Sequence, residues 1–219
     1  QTDWRYEPGR TMSSRVASAL AQRRRRSLAA FRADPAREIA LLLLGLGALL
    51  CILILAVAVK QAHFDRSGLG ADSTWWMESA QRFRYVRMVA EGQGIPALDV
   101  RMQAPGGYPP RADTILQEQL YGWLAARFQP DEMSLAAFVR LIGRLISGSA
   151  VLPVALLALI LTRRRDAALL AALAFGLALP VAERGIGLVL YREDLAFPVL
   201  CWHLAALAAW TRRPQAWVA

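Results

Sequence analysis

The run IALLLLGLGALLCILILAVAV, residues 39–59, carries no charged side chain. At about 1.5 Å of helical rise per residue it reaches across a bilayer core about 30 Å thick. It predicts a first transmembrane helix over residues 38–60, and the rest of the chain is read outward from that segment.

The chain has 219 residues, 56% of them hydrophobic, a mean hydropathy of +0.30 and a formal net charge of +9. A nucleic-acid binder with a sequence pI near 10.7 would interleave Arg and Lys with polar and aromatic residues on one face. Here the arginines gather at the ends of apolar runs instead: residues 23–26, residues 163–165, and Arg212 with Arg213. That pattern sets membrane topology, because Lys and Arg favour cytoplasmic loops, and it excludes nucleic acid as a partner. Cys51 and Cys201 each sit inside an apolar run, which points to neither a disulfide framework nor a metal site. The chain opens on Gln, and its basic stretch leads into a span too long for a signal h-region. The expectation is a chain lacking residues at its start.

Residues 1–37 form a basic cytoplasmic arm. Met12, Val16 and Leu20 recur there at helical spacing, so the arm is either an amphipathic helix on anionic lipid or a basic tail that only fixes topology. A second transmembrane helix is predicted over 135–162. Near one end it carries Arg140 and Arg144, four apart and so on one helix face, as candidate headgroup contacts. A cytoplasmic turn at 163–166, a third helix over 167–183, an acidic outward turn at 184–194, a fourth helix over 195–211 and a tail at 212–219 complete the series. Every basic cluster then faces the cytoplasm. The predicted fold class is an all-α membrane protein with about four transmembrane helices and a large extracytoplasmic loop at 61–134. The location implied is a bacterial inner membrane, with membrane lipids as partners.

The loop holds its own helical patterns. Asp72 is placed to cap a helix running to about Glu91, with Trp76, Ala80, Phe83 and Ala90 as its apolar stripe and Gly92 and Gly94 ending it. GIPALDVRMQAPGGYPPRAD, residues 94–113, follows as ordered loop. Ile115, Leu116, Leu120, Trp123 and Leu124 then mark another amphipathic helix. Trp75, Trp76, Tyr108, Tyr121 and Trp123 suit an aromatic belt at headgroup depth. In the fourth span His203 reads as a packed, hydrogen-bonded residue rather than part of a conduction path.

The order of these features resembles the membrane catalytic subunit of oligosaccharyltransferase, within the C-type glycosyltransferase superfamily. The matching passages are ADSTWWMESAQRFRYVRMVAEGQGIP (71–96), DTILQEQLYGWLAARF (113–128), SGSAVLPVALLALILTRRRDAALLAALAF (147–175) and ERGIGLVLYREDLAFPVL (183–200). The resemblance implies a polyprenyl-linked sugar donor and a divalent cation, Mg or Mn, that neutralises the departing pyrophosphate. It puts Asp72 in the position of a catalytic and metal carboxylate and Glu193 and Asp194 in those of metal ligands. Arg184 falls where a lipid-phosphate or acidic-loop partner stands. In the family an acidic pair follows the third span, whereas here Arg192, or Tyr191 in the adjacent register, occupies its first position. A cation there opposes metal binding by repulsion. The family's enzymes also have many more spans, a later loop with a catalytic Glu and a C-terminal Trp-Trp-Asp domain, so these residues correspond to its N-terminal membrane portion. The alternative expectation is a non-catalytic, transferase-like subunit of a larger membrane complex, working with other membrane subunits and without a cofactor.

Overall fold

The computed structural model describes Gln22 and residues 34–75, 77–103, 105–183 and 187–212. Met12, Val16, Leu20, residues 23–26, Trp76, Arg184 and Arg213 lie outside the described residues. The chain divides after Gly47 into two units. In the first, the described residues are mainly the opening turns of one long helix, α1 (Pro35–Arg66). Asp34 starts it, its carboxylate accepting from the Arg37 amide at 3.0 Å, and Pro35 stands at the first helical position, where a missing N–H costs nothing.

The second unit carries α1 onward and then α2 (Met77–Ala90), α3 (Leu116–Phe128), α4 (Leu135–Gly148), α5 (Val151–Thr162), α6 (Arg165–Leu177), α7 (Leu179–Glu183) and α8 (Glu193–Arg212). Among the described residues every regular element is helical, and β-type pairing is confined to an isolated bridge between Asp99 and Tyr108. Three stretches are long and apolar enough to cross a membrane: Pro35–Arg66, Leu135–Thr162 and Glu193–Arg212.

Two prolines divide segments that hydropathy alone reads as continuous. The second stretch changes helix at Ser149 and Ala150, because Pro153 has no N–H for the Ser149 carbonyl; the Leu152 amide takes it at 3.0 Å instead. Pro180 likewise has no amide for Gly176, and the segment predicted as one helix over 167–183 is α6 and the short α7, parted by extended backbone at Ala178.

Two apolar clusters hold the second unit. One joins α2, α3 and α4 through Trp75, Phe83, Val86, Tyr121, Val139 and Ile142. The other joins α1, α5 and α6 through Ala56, Val151, Ala155 and Ala172. Small residues set the crossings. A Cβ on Gly122 would lie 2.5 Å from Val89 Cβ, and one on Gly176 would lie 3.2 Å from Ala56 Cβ. At one end of the bundle Arg212 donates to the carbonyls of Ile160 and Leu161 in the last turn of α5, so the ends of α5 and α8 lie together.

The predicted loop helices exist with different faces. On α2 Phe83 is buried but Ala80 is exposed, and the buried line runs through Ser79, Phe83 and Val86. α3 buries its polar side, Gln117, Glu118 and Tyr121, while Leu116 and Trp123 are exposed. Of the expected aromatic belt, Trp75 and Tyr121 are instead core residues.

Candidate functional site

The turn ahead of α8 is held by side chains from three helices. Ser79 accepts from the Leu190 amide at 3.0 Å, Arg82 donates to the Leu190 carbonyl at 2.8 Å, and Gln117 donates to the Tyr191 carbonyl at 2.7 Å. Arg140 of α4 does the most. Its guanidinium donates to Gly187 O at 2.9 Å, Ala71 O at 2.6 Å and Ser73 O at 2.8 Å, with Ser73 Oγ at 3.2 Å. It also lies 4.1 Å above the Trp75 ring. A planar fork of five donors meets these carbonyls where an ammonium could not. Arg140 therefore fastens the Asp72 loop to the turn before α8, and its side chain is 1% exposed. Gly187 makes room for it: its φ is +92°, and an added Cβ would stand 3.1 Å from Arg140 Cγ. Arg144 is buried as well, 5.3 Å from the Phe64 ring centre. Both arginines expected at headgroups are thus turned into the protein.

Beside this junction opens a cleft of about 420 Å³, with Glu78, Arg82, Tyr85, Tyr108, Asp113 and Arg192 on its walls. Arg192 enters from the N-terminus of α8. Its two terminal nitrogens lie 3.5 Å from Asp113 and 3.4 Å from Glu118. Glu118 is fully buried, so removing Arg192 would leave a carboxylate without its counter-ion. Across the cleft Tyr108 donates to Asp113. That bond pushes the phenol above its ordinary pKa and holds the Asp113 carboxyl below the usual carboxylate range, with Arg192 adding to the second effect. The wall behind Tyr108 is anchored on buried Asp99, which pairs with Arg84 and accepts from Tyr85 Oη at 2.8 Å and the Arg101 amide at 3.1 Å. Carboxylates, guanidinia, phenols and amides alternate around one concave surface. That mixture suits a polyhydroxylated ligand, which offers donors and acceptors together.

The described residues singled out as site residues in the sequence neither line this cleft nor form one cluster. Asp72 is exposed, accepts from the Ser134 hydroxyl, and is attracted by Arg140. It stands five residues ahead of Met77, too far to cap α2; Ser134 caps α4 through the Ala137 amide at 3.1 Å. Glu193 and Asp194 lie in the first turn of α8 rather than in a turn before it, with Glu193 exposed and Asp194 buried where it attracts Lys60 of α1. Among the described residues no three His, Cys, Asp or Glu side chains are grouped to hold a metal ion. Of the three carboxylates named as metal ligands, Asp72 has Arg140 attracting it, Asp194 attracts Lys60, and Glu193 is exposed. Arg184 lies outside the described residues.

Sequence reasoning missed Arg82, Tyr85, Asp113 and Glu118. Glu118 carried a signal, since it stands one turn ahead of Tyr121 and beside Gln117 on the polar face of α3, the face that is buried. Among the described residues, what the fold and site define is an all-helical protein with three apolar helical stretches of membrane length and a polar cleft. Comparison with family models, with characterised proteins and with solved structures found no match.

Proposed function

We propose that this chain is the N-terminal membrane portion of a transferase that uses a polyprenyl-phosphate-linked sugar or oligosaccharide at the extracytoplasmic face of a bacterial inner membrane. The observation that carries the reading is the cleft, whose walls come from the first outward loop and from the turn before α8. These are the two regions from which the resembling family builds its site. Four segments cross the membrane in this reading: α1, α4 with α5, α6 with α7, and α8, with the N-terminus cytoplasmic. The exposed Leu116 and Trp123 of α3 then rest on the interface, where a lipid carrier enters. Sugar hydroxyls donate to Asp113 and Glu78 and accept from Arg82 and Arg192. The Mg or Mn ion that the resemblance implies would take Asp72, Glu193 and Asp194 as its carboxylates, and the sugar contacts named above are made by other residues.

A second reading, a non-catalytic subunit within a larger membrane complex, is favoured by one observation: Arg192 is engaged by Asp113 and Glu118, so a structural tie stands where the family has a metal carboxylate. Binding separates the two. The full chain in lipid nanodiscs is titrated with a polyprenyl-phosphate-linked sugar and with the same polyprenyl phosphate lacking sugar. The expected result is preference for the glycosylated lipid, lowered about tenfold by Asp113→Asn or Arg82→Gln, as for loss of one or two ligand hydrogen bonds. Equal binding of both lipids, unchanged by either substitution, would exclude the sugar site and leave the subunit reading.

A further inference from the structure

The charges around the cleft do not balance. Arg82 pairs with Glu78 at 3.0 Å, and Arg192 is shared, its terminal nitrogens lying 3.5 Å from Asp113 and 3.4 Å from Glu118. Arg84 is taken by Asp99 behind the wall. Glu78, Asp113 and Glu118 thus face two guanidinia, which leaves a negative charge over in a chain whose formal net charge is +9. Burial decides where that charge surfaces. Glu118 is fully buried, whereas the side chains of Asp113 and Glu78 are 48% and 80% exposed, against 28% and 16% for Arg192 and Arg82. The Tyr108 phenol and Arg192 keep Asp113 ionised. Arg101 and Arg111, exposed on the same loop, are not on the walls.

Hydrogen bonding has the same sign. Tyr108 gives its proton to Asp113 and Tyr85 gives its proton to Asp99, so neither phenol has one for a ligand. Arg82 donates through one terminal nitrogen to the Leu190 carbonyl and through the other to Glu78. The remaining N–H groups of the two arginines serve sugar hydroxyls, but the exposed charge is that of the carboxylates. Its complement is a compact cation, and an ammonium group is three donors and one positive charge on a single atom. Resting on the reading of this cleft as a sugar site, we propose that the sugar is an amino sugar with its amine free, Asp113 serving as counter-ion to the ammonium and Glu78 as a second acceptor. N-acetylation removes the charge and replaces donors with a carbonyl acceptor. A uronic acid sets a further carboxylate beside Asp113, where like charges repel. The free amine is therefore the group that this site distinguishes.

The test uses the full chain in lipid nanodiscs at neutral pH and lipids built on one polyprenyl phosphate, either bare or carrying glucose, glucosamine or N-acetylglucosamine. The glucosamine lipid should bind about tenfold more tightly than the glucose lipid, as for a charge-assisted hydrogen bond in place of a neutral one. The N-acetylglucosamine lipid should bind no more tightly than the glucose lipid. Raising the salt concentration should narrow the preference for glucosamine. Glu78→Gln and Asp113→Asn should each lower the ratio of glucosamine to glucose binding, and the two together should bring it to parity. A merely structural role would weaken both sugars alike and keep the ratio. The Glu78 carboxylate is mostly in solvent, so Glu78→Gln should melt like its parent, which keeps folding apart from recognition. Equal binding of the glucose and glucosamine lipids, or tightest binding of the N-acetylated one, would overturn the ammonium site while leaving the sugar reading standing. If no sugar lipid is bound above bare polyprenyl phosphate, the sugar reading falls and this inference with it.

Discussion

Arg140 shows how one side chain can decide whether an outward loop has a shape. Its donors end on three backbone carbonyls and a hydroxyl from two segments far apart in the chain, and the carbonyl of buried Gly187 would otherwise lack this partner. Arg140→Lys keeps the charge but loses the fork, so we expect destabilisation of about 3 kcal/mol or more. A thermal melt in detergent, with limited proteolysis near residue 70, checks this; an unchanged melt would contradict it. Arg192 and Glu118 form a second test. Arg192→Ala should cost about 1–3 kcal/mol by stranding a buried carboxylate, and adding Glu118→Gln should recover part of that loss. Tyr108 supplies the pH dependence. Its folded pKa lies above the ordinary value, so the stability it adds is intact below about pH 10 and is lost as pH rises from there to the folded value. In acid the stability from the same bond is present above the ordinary carboxylate pKa and is lost as pH falls through the lowered Asp113 value. Phenolate absorbance should show a late-ionising component that Tyr108→Phe removes. None of these roles was legible in sequence: a lone Arg in an apolar run reads as a headgroup contact until the loops that close over it are known.

Elements were legible wherever composition was one-sided. The run at 39–59 lies within α1, and the glycines at 92 and 94 follow the end of α2, both with positive φ. Faces were harder to read, and α3 explains why. Periodicity assigns the apolar side of an amphipathic helix to the core, which holds for a helix in water. α3 instead turns Leu116 and Trp123 outward and buries Gln117 and Glu118 against the turn before α8, which an interfacial helix with apolar neighbours on two sides, as proposed above, would accommodate. Gly122 is what permits that approach. A Cβ there would lie 2.7 Å from the Val86 carbonyl oxygen, and a backbone atom cannot rotate away. We expect Gly122→Ala to force α2 and α3 apart at a cost of about 1–3 kcal/mol and to lower the melting temperature, whereas Gly143→Ala, with only Tyr121 Oη at 3.9 Å, should melt like its parent.

At the scale of the whole molecule, Arg212 with residues 163–165 and the polar cleft belong to opposite ends of the second unit. Arg212 donates to the last carbonyls of α5, next to the basic residues 163–165, whereas α8 begins against α2 and α3 at the cleft. Carbonyls at the end of a helix have no intrahelical donors, so a cation there serves both hydrogen bonding and the helix dipole. Arginines at one end and a cleft at the other give the chain a polarity that the positive-inside tendency translates into sidedness. The span count depends on α6 and α7, since α6 alone is about 20 Å long and too short for the core. If α4 and α5 together cross the membrane, Ser67 and Asp166 lie on opposite sides. With Cys51 and Cys201 replaced by Ser in intact cells, Ser67→Cys should react with an impermeant maleimide from outside, and Asp166→Cys only after permeabilisation. Outside labelling of both positions would place the basic turn with the cleft and reject this topology, and with it an extracytoplasmic transfer site.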